Sequence, residues 1–237
     1  MKRTDGRDFL QLRPLEIKTG VSRFAEGSAT VILGSTVVFI TATVDQKVPP
    51  FLRGTGQGWI TAEYSMLPRS TQERTSRDQG RSGRSHEIQR LIGRAMRACV
   101  DLRELGERTI ILDCDVMQAD GGTRTAAITG GWVALVEALR WLKSMGLLSI
   151  LPLAEQVAAV SVGIVHDKLL LDLTFEEDSS AQVDLNLAMT DKGKIVEVQG
   201  TGEGRSFTRE ELEQLIEMGW MGIQEIFKVQ KNALNLR

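Results

Sequence analysis

Hydrophobic and polar residues alternate in short runs along the first quarter of the chain. Alternation at a period of two predicts β-strands, and Gly20, Gly27 and Gly34 mark turns between the first runs. A stretch rich in proline and glycine, residues 45–58, predicts a loop. The predicted strands are residues 12–19, 29–33, 37–43 and 59–66.

The pattern becomes helical after residue 85. Apolar residues from Ile88 to Leu102 recur every three or four positions, which predicts an amphipathic helix. Ser85 is suited to its N-cap, and Glu87 to its first turn. The preceding residues 68–85 are polar and rich in arginine, so we predict a long exposed loop there.

A strand over residues 109–117 and a helix from about residue 123 to Met145 come next, and the chain then returns to strands. Thr208 and Glu211 form a capping-box pattern that opens a last helix, and we expect Gly219 and Gly222 to break or bend it. The later predicted strands are residues 157–165, 169–175, 182–189 and 194–199, with a turn at His166-Asp167 between the first two.

No internal repeat, low-complexity tract or linker interrupts this order of elements. The fold class that we predict is α+β: a single domain spanning residues 1–237, with two sheet segments packed against helices.

The composition is that of an ordinary globular protein, with 237 residues, 42% hydrophobic and 25% charged. It excludes a collagen, a disulfide scaffold and a disordered chain. No apolar run approaches the roughly 20 residues that span a bilayer, and we expect no signal peptide and no membrane partner. Cys99 and Cys114 lack metal-type spacing, so we expect them to be reduced and buried in a cytoplasmic protein.

Positive charge is concentrated in one window. Residues 69–97 carry eight arginines and three acids, and no lysine occurs between Lys47 and Lys143. Arginine binds phosphate through two parallel hydrogen bonds, so the window indicates a polyanion partner. The alternative is a solvated loop followed by helix-surface charges.

Several kinds of catalytic site are not indicated. His86 and His166 are the only histidines, although His86 could line a site near a helix start. The sequence has no GxSxG elbow, no Walker A motif and no His/Cys cluster suited to zinc.

Three weaker signals remain. Gly121-Gly122-Thr123-Arg124 joins a strand to a helix, where free backbone N–H groups can bind an anion; Arg84 precedes another predicted helix. Asp178 and Asp184, beside two glutamates, could hold Mg²⁺, or one of them could donate a proton. Taken singly, these are a tight turn, a surface arginine and solvated acids; together they suit reaction at a phosphodiester of a nucleic acid.

Five stretches closely resemble the bacterial ribonuclease PH family. The most specific is the string Gln-Ala-Asp-Gly-Gly-Thr-Arg at residues 118–124, and the likeness runs from about Gly6 to Gln230. The matching stretches are residues 56–64, 66–69, 87–94, 113–125 and 197–201.

The resemblance implies a phosphorolytic 3′→5′ exoribonuclease, in which inorganic phosphate attacks the terminal phosphodiester of tRNA precursors and a nucleoside diphosphate leaves. It also implies a fold like ribosomal protein S5 domain 2, built of βαβα units with mixed sheets packed on helices, a homo-hexamer made of three dimers, and Mg²⁺ as cofactor. Residue by residue, it implies phosphate binding by Arg84, Gly122, Thr123 and Arg124, RNA guidance by Arg69, Arg74 and Arg77, and metal binding or general-acid catalysis by Asp178 and Asp184.

The sequence departs from the family at Ser85-His86, where many members carry Thr and then Gln or Met. The departure affects the surroundings of Arg84 and removes no motif residue. Two alternatives stay open: a catalytically inactive RNA-binding ring subunit of an exosome-like assembly, and a hydrolytic nuclease. A polynucleotide phosphorylase is disfavoured by length, because that family doubles this domain and adds RNA-binding domains.

Overall fold

The computed structural model describes residues 3–77 and 83–236. Residues 78–82, which are part of the predicted arginine loop, lie outside the described residues. The strands are β1 (Leu15–Thr19), β2 (Gly27–Leu33), β3 (Thr36–Asp45), β4 (Trp59–Met66), β5 (Thr109–Gln118), β6 (Val157–Val165), β7 (Lys168–Leu171), β8 (Val183–Thr190) and β9 (Ile195–Thr201). The helices are α1 (Gly83–Ala98), α2 (Leu102–Leu105), α3 (Thr123–Ser144), α4 (Phe175–Ser179) and α5 (Arg209–Ala233), and a 3-10 turn covers Pro50–Leu52.

The strands form two sheets, and the first sheet positions the arginine loop and the glycine turn that the sequence analysis selected as candidate phosphate-binding segments. Its order is β1-β2-β3-β5-β4, and within it β4 and β5 run parallel. Parallel neighbours need a crossover connection, and here the connection includes α1. The carboxyl ends of β4 and β5 therefore meet at one edge of the sheet. Two segments begin there: the predicted arginine loop, residues 68–85, and the glycine turn, Gly121-Gly122.

The second sheet, with the order β7-β6-β8-β9, is antiparallel throughout. Helix α3 contacts both sheets and is buried over most of its length. Its close approach to β2 depends on Gly27, where an added Cβ would lie 2.0 Å from the Ala134 carbonyl oxygen. A helix that is apolar on nearly every face is suited to this central place.

Helix α5 corrects one prediction. It opens with the predicted capping box at Thr208 and Glu211 and continues through Gly219 and Gly222, so the predicted break does not occur. Both glycines face the second sheet, where an added Cβ would lie 2.6 Å from Leu187 Cδ2 and 2.8 Å from Leu171 Cδ1, respectively. Their function is close packing of the helix on the sheet.

Other boundaries also differ from the predictions. The helix predicted to reach Leu102 ends at Ala98, and Leu102 begins the separate helix α2. The strand predicted to end at residue 175 stops at Leu171, and Phe175 begins the short helix α4. Ser85 is buried inside α1 and is not its N-cap. The α+β class with two sheets against helices is confirmed, and no helix among the described residues is long and apolar enough to cross a membrane.

Candidate active site

The arginine loop is fixed to β5 before it leaves the sheet. The Leu67 N–H donates to the Val116 carbonyl (2.9 Å), and the Ala119 N–H donates to the carbonyl of buried Ser70 (2.8 Å). The loop therefore begins beside the segment that leads into the glycine turn. Arg69, Arg74 and Arg77 are exposed on its described part.

The glycine turn requires glycine at two positions. Gly121 and Gly122 have φ of +74° and +66°, a region that L side chains rarely adopt. At Gly121 an added Cβ would also lie 2.5 Å from the Leu173 carbonyl oxygen. No side-chain hydrogen bond caps α3 at Gly122, and no acid occupies its first turn. Because the first N–H groups of a helix lack internal acceptors, this end of α3 is suited to an anion.

Thr123 is supported by a residue that the sequence patterns did not single out. The buried Tyr64 hydroxyl donates to Thr123 Oγ1 at 2.8 Å. Thr123 accepts this bond with its oxygen and so keeps its own proton to donate to an anion. Burial raises the pKa of Tyr64, so the phenol keeps the proton that it donates.

Arg124, in the first turn of α3, is half-buried and held by a side chain from β9. Its Nη1 donates to Gln199 Oε1 at 2.7 Å, and Gln199 Nε2 donates to Glu87 Oε1 on α1. Arg84, also on α1, is exposed, and its positive charge partly offsets the rise in the pKa values of Tyr64 and Asp178 that burial causes. The charges of the two predicted phosphate-binding arginines therefore affect the same side chains, Tyr64 and Asp178.

Asp178 on α4 and Asp184 on β8 face one another. Partial burial, followed by the carboxylate of Asp178, raises the pKa of Asp184 to about 6. Burial also raises the pKa of Asp178, against the opposing effect of Arg124 and Arg84. Asp184 Oδ1 is buried without a hydrogen-bond partner among the described residues, while Asn186 donates to Oδ2 at 3.3 Å.

A buried arginine network, which the sequence analysis missed, ties the glycine turn to the segment before α4. Arg13 Nη2 donates to Asp172 Oδ1 (2.6 Å), while its Nη1 donates to the Asp120 carbonyl. Arg3 binds both carboxylate oxygens of Glu177 at 2.8 and 2.7 Å. Each of these side chains is nearly inaccessible to water, so the network fixes the glycine turn relative to the segment before α4.

Other residues that the sequence brought into question differ in their surroundings. Glu177, one of the two glutamates beside the aspartates, is buried against Arg3 and closes the α4 capping box, so the alternative of solvated acids does not hold for it. His86 is exposed and contacts Gln89. Cys99 and Cys114 are free and buried, as predicted, and burial raises the pKa of both thiols.

Two family models match successive parts of this chain. They are the 3′ exoribonuclease family, domain 1, over residues 11–140, and the same family's domain 2 over residues 155–220. The chain belongs to the 3′ exoribonuclease family. The first part supplies the glycine turn and the arginines of this exoribonuclease, and the second part supplies the aspartates.

Two bacterial relatives match nearly the whole exoribonuclease chain. The Ribonuclease PH of Moorella thermoacetica is 57% identical over 99% of this chain and 95% of the relative. The Ribonuclease PH of a Synechococcus strain is 54% identical over 99% and 98%, respectively.

Two solved structures share the fold. Rice (Oryza sativa) Rrp46 superposes with a TM-score of 0.79 at 20% identity, over 98% of this chain and 100% of that one. The Archaeoglobus fulgidus exosome with RNA bound to the active site gives a TM-score of 0.78 at 24% identity, over 96% and 92%.

Proposed function

We propose that this chain is a phosphate-dependent 3′→5′ exoribonuclease that trims the 3′ ends of tRNA precursors and releases nucleoside diphosphates. The observation that carries the proposal is the meeting of an uncapped helix N-terminus with two arginines beside a carboxylate pair. The site takes residues from both matched parts of the chain, so we propose that residues 1–237 work as one domain.

Phosphate binds at the start of α3 in this proposal. The N–H groups that follow Gly122, the Thr123 hydroxyl and the guanidinium groups of Arg84 and Arg124 all donate, and none of them needs to move a proton. Their positive charge lowers the repulsion between phosphate and the anionic phosphodiester. In-line attack then depends on positioning and charge neutralisation.

The aspartate pair fits a divalent cation. Asp184 Oδ1 is a buried carboxylate oxygen with no donor among the described residues, and Mg²⁺ binds through one or two carboxylates together with water and phosphate oxygens. Asp178 and Asp184 would hold it; among the described residues no group of three metal-ligating side chains occurs. Bound there, Mg²⁺ would neutralise charge that develops on the phosphodiester under attack.

A second role for Asp184 is favoured by its pKa of about 6. A carboxyl group with a raised pKa keeps its proton nearer to neutral pH, so it could protonate the leaving 3′ oxygen. The two roles require opposite protonation states. The pH dependence of the reaction therefore distinguishes them.

We further propose a homo-hexamer of three dimers that acts in the cytoplasm, where tRNA precursors are processed. The structural similarity to rice Rrp46 and to the Archaeoglobus fulgidus exosome shows the shared fold alone. The inactive ring subunit is the weaker candidate, because Arg84, Arg124, Asp178 and Asp184 are all present and close together.

Product analysis tests the proposed activity. A short 3′-tailed RNA incubated with the protein, Mg²⁺ and inorganic phosphate should give nucleoside diphosphates, and omitting phosphate should stop the reaction. Monophosphates formed without phosphate would identify a hydrolytic nuclease. RNA binding without any mononucleotide product would favour the inactive ring subunit.

The arginine loop should affect long substrates more than short ones. Combining Arg74→Ala with Arg77→Ala should lower kcat/KM for a tRNA precursor by roughly tenfold and for a dinucleotide by less than about twofold, because each lost phosphate contact matters only where RNA reaches the loop. Arg103→Ala, an exposed arginine on α2 near the opposite end of β4, is the control. An equal loss on both substrates would argue against RNA guidance by this loop.

A further inference from the structure

Arg124 is held through two hydrogen bonds in series. Arg124 Nη1 donates to Gln199 Oε1 at 2.7 Å, and the amide nitrogen of Gln199 donates to Glu87 Oε1. Gln199 lies on β9, opposite Asn186 of β8, and Glu87 lies one turn after Arg84 on α1. The series thus connects three elements that surround the candidate phosphate site.

The chemistry of the series fixes the orientation of the Gln199 amide. An ionised carboxylate can only accept hydrogen bonds, and a guanidinium can only donate them. Glu87 therefore selects the amide nitrogen of Gln199, and the amide oxygen is left to face Arg124. If Glu87 were neutral and could donate, the amide could turn over and place its N–H groups against the arginine.

We propose that Gln199 is a positioning residue for phosphate binding, and that Glu87 sets the orientation of its amide. The proposal rests on the proposed function, in which Arg124 binds phosphate. One N–H of Arg124 is committed to Gln199, and the other N–H groups stay available to the anion. Holding a long side chain in place beforehand lowers the conformational entropy lost on binding.

Replacing Gln199 by leucine should raise the KM for phosphate about tenfold at saturating RNA. The same change should alter kcat by less than about threefold, because phosphate that does bind still lies on the same helix N-terminus. The thermal stabilisation produced by a fixed concentration of inorganic phosphate should shrink in parallel. A loss confined to kcat, with the KM for phosphate unchanged, would overturn the positioning role.

Replacing Glu87 by glutamine gives a test in which two explanations predict opposite changes in the KM for phosphate. Removing a negative charge near an anion site would by itself lower the KM for phosphate. Loss of the fixed amide orientation should instead raise it, by about threefold. Glu87 is exposed and glutamine has nearly its shape, so this variant tests the proposal even if Gln199→Leu fails to fold. A lower KM would overturn the role assigned to Glu87.

Glu197→Gln is the matched control. Glu197 also joins β9 to α1, through an ion pair with Arg94 at 2.8 Å, but neither residue contacts Arg124. Its KM for phosphate should stay within about twofold of the unmodified protein. A rise equal to that of Gln199→Leu would show that any contact between α1 and β9 suffices, which would overturn the proposal.

Arg124→Ala distinguishes failure of the proposed phosphate site from failure of the positioning role of Gln199. If this variant keeps its KM for phosphate, the proposed phosphate site is wrong. If its KM rises while Gln199→Leu matches the unmodified protein, the site stands and the positioning role is wrong.

Discussion

Arg124→Ala is expected to raise the KM for phosphate steeply and to lower kcat/KM by about 100-fold or more. Arg124 supplies charge where two anions must approach one another, and the neighbouring Thr123 hydroxyl carries no charge that could replace it. The measurement is initial rate against phosphate concentration at saturating RNA, with the nucleoside diphosphate quantified.

Lys143→Ala is the control for this variant. Lys143 is an exposed cation near the other end of the same helix, so its loss changes the net charge equally without touching the site. If the rate of Arg124→Ala depended on phosphate concentration as the rate of the unmodified protein does, the proposed phosphate site would be rejected. A matching thermal transition in the two variants would exclude misfolding.

Asp184→Asn is expected to lower kcat about 100-fold or more and, at the same time, to raise the melting temperature at pH 8 by roughly 2–6 °C. Either proposed role of Asp184 needs a carboxyl group, since asparagine is neither an anionic metal ligand nor a proton donor of suitable pKa. The stabilisation arises because asparagine removes the repulsion between two facing carboxylates.

The stabilising effect should depend on pH in a defined direction. The pKa of Asp184 is raised to about 6 in the folded protein from 3.8, so the folded protein binds this proton more tightly than the unfolded chain does. Ionisation therefore lowers the free energy of unfolding as the pH rises from about 4 to above 6. The gain from asparagine should be full at pH 8 and small near pH 4, and a variant that melts lower at pH 8 would contradict the facing pair.

The pH profile of kcat/KM in the unmodified protein assigns the role of Asp184. A metal ligand must be ionised, so activity would rise through pH 6; a general acid must be protonated, so activity would fall through the same pH. We expect activity to rise through this pH, as a metal ligand requires, because Asp184 Oδ1 has no hydrogen-bond partner among the described residues and lies next to the carboxylate of Asp178.

Local patterns in the sequence were sufficient for most of the architecture. The change from a period of two to a helical period located β4, α1 and β5, and the predicted strand at residues 59–66 agrees with the structure. The capping box at Thr208 was readable because its signal lies within four residues. Residue patterns indicated one shared chemistry for Arg84, Arg124, Asp178 and Asp184, and the roles that the family resemblance implies for them stay predictions.

Long-range contacts were beyond the sequence patterns. Nothing local pairs Arg13 with Asp172 or Gln199 with Glu87, because each pair is separated by more than 100 residues. Gly219 and Gly222 were misjudged for the same reason, since their effect depends on how closely a sheet approaches the helix. The Ser85 prediction failed because α1 includes Gly83 and Arg84.

The buried arginine network has a consequence for how the protein is made. Arg3 and Arg13 leave the ribosome well before their carboxylate partners, Glu177 and Asp172, which are translated 174 and 159 residues later, respectively. Until then the nascent first half carries guanidinium groups without their buried counter-charges, which makes their burial costly. The network can therefore form only after residue 177 has been translated, so we expect the segments that it joins to come together late in synthesis.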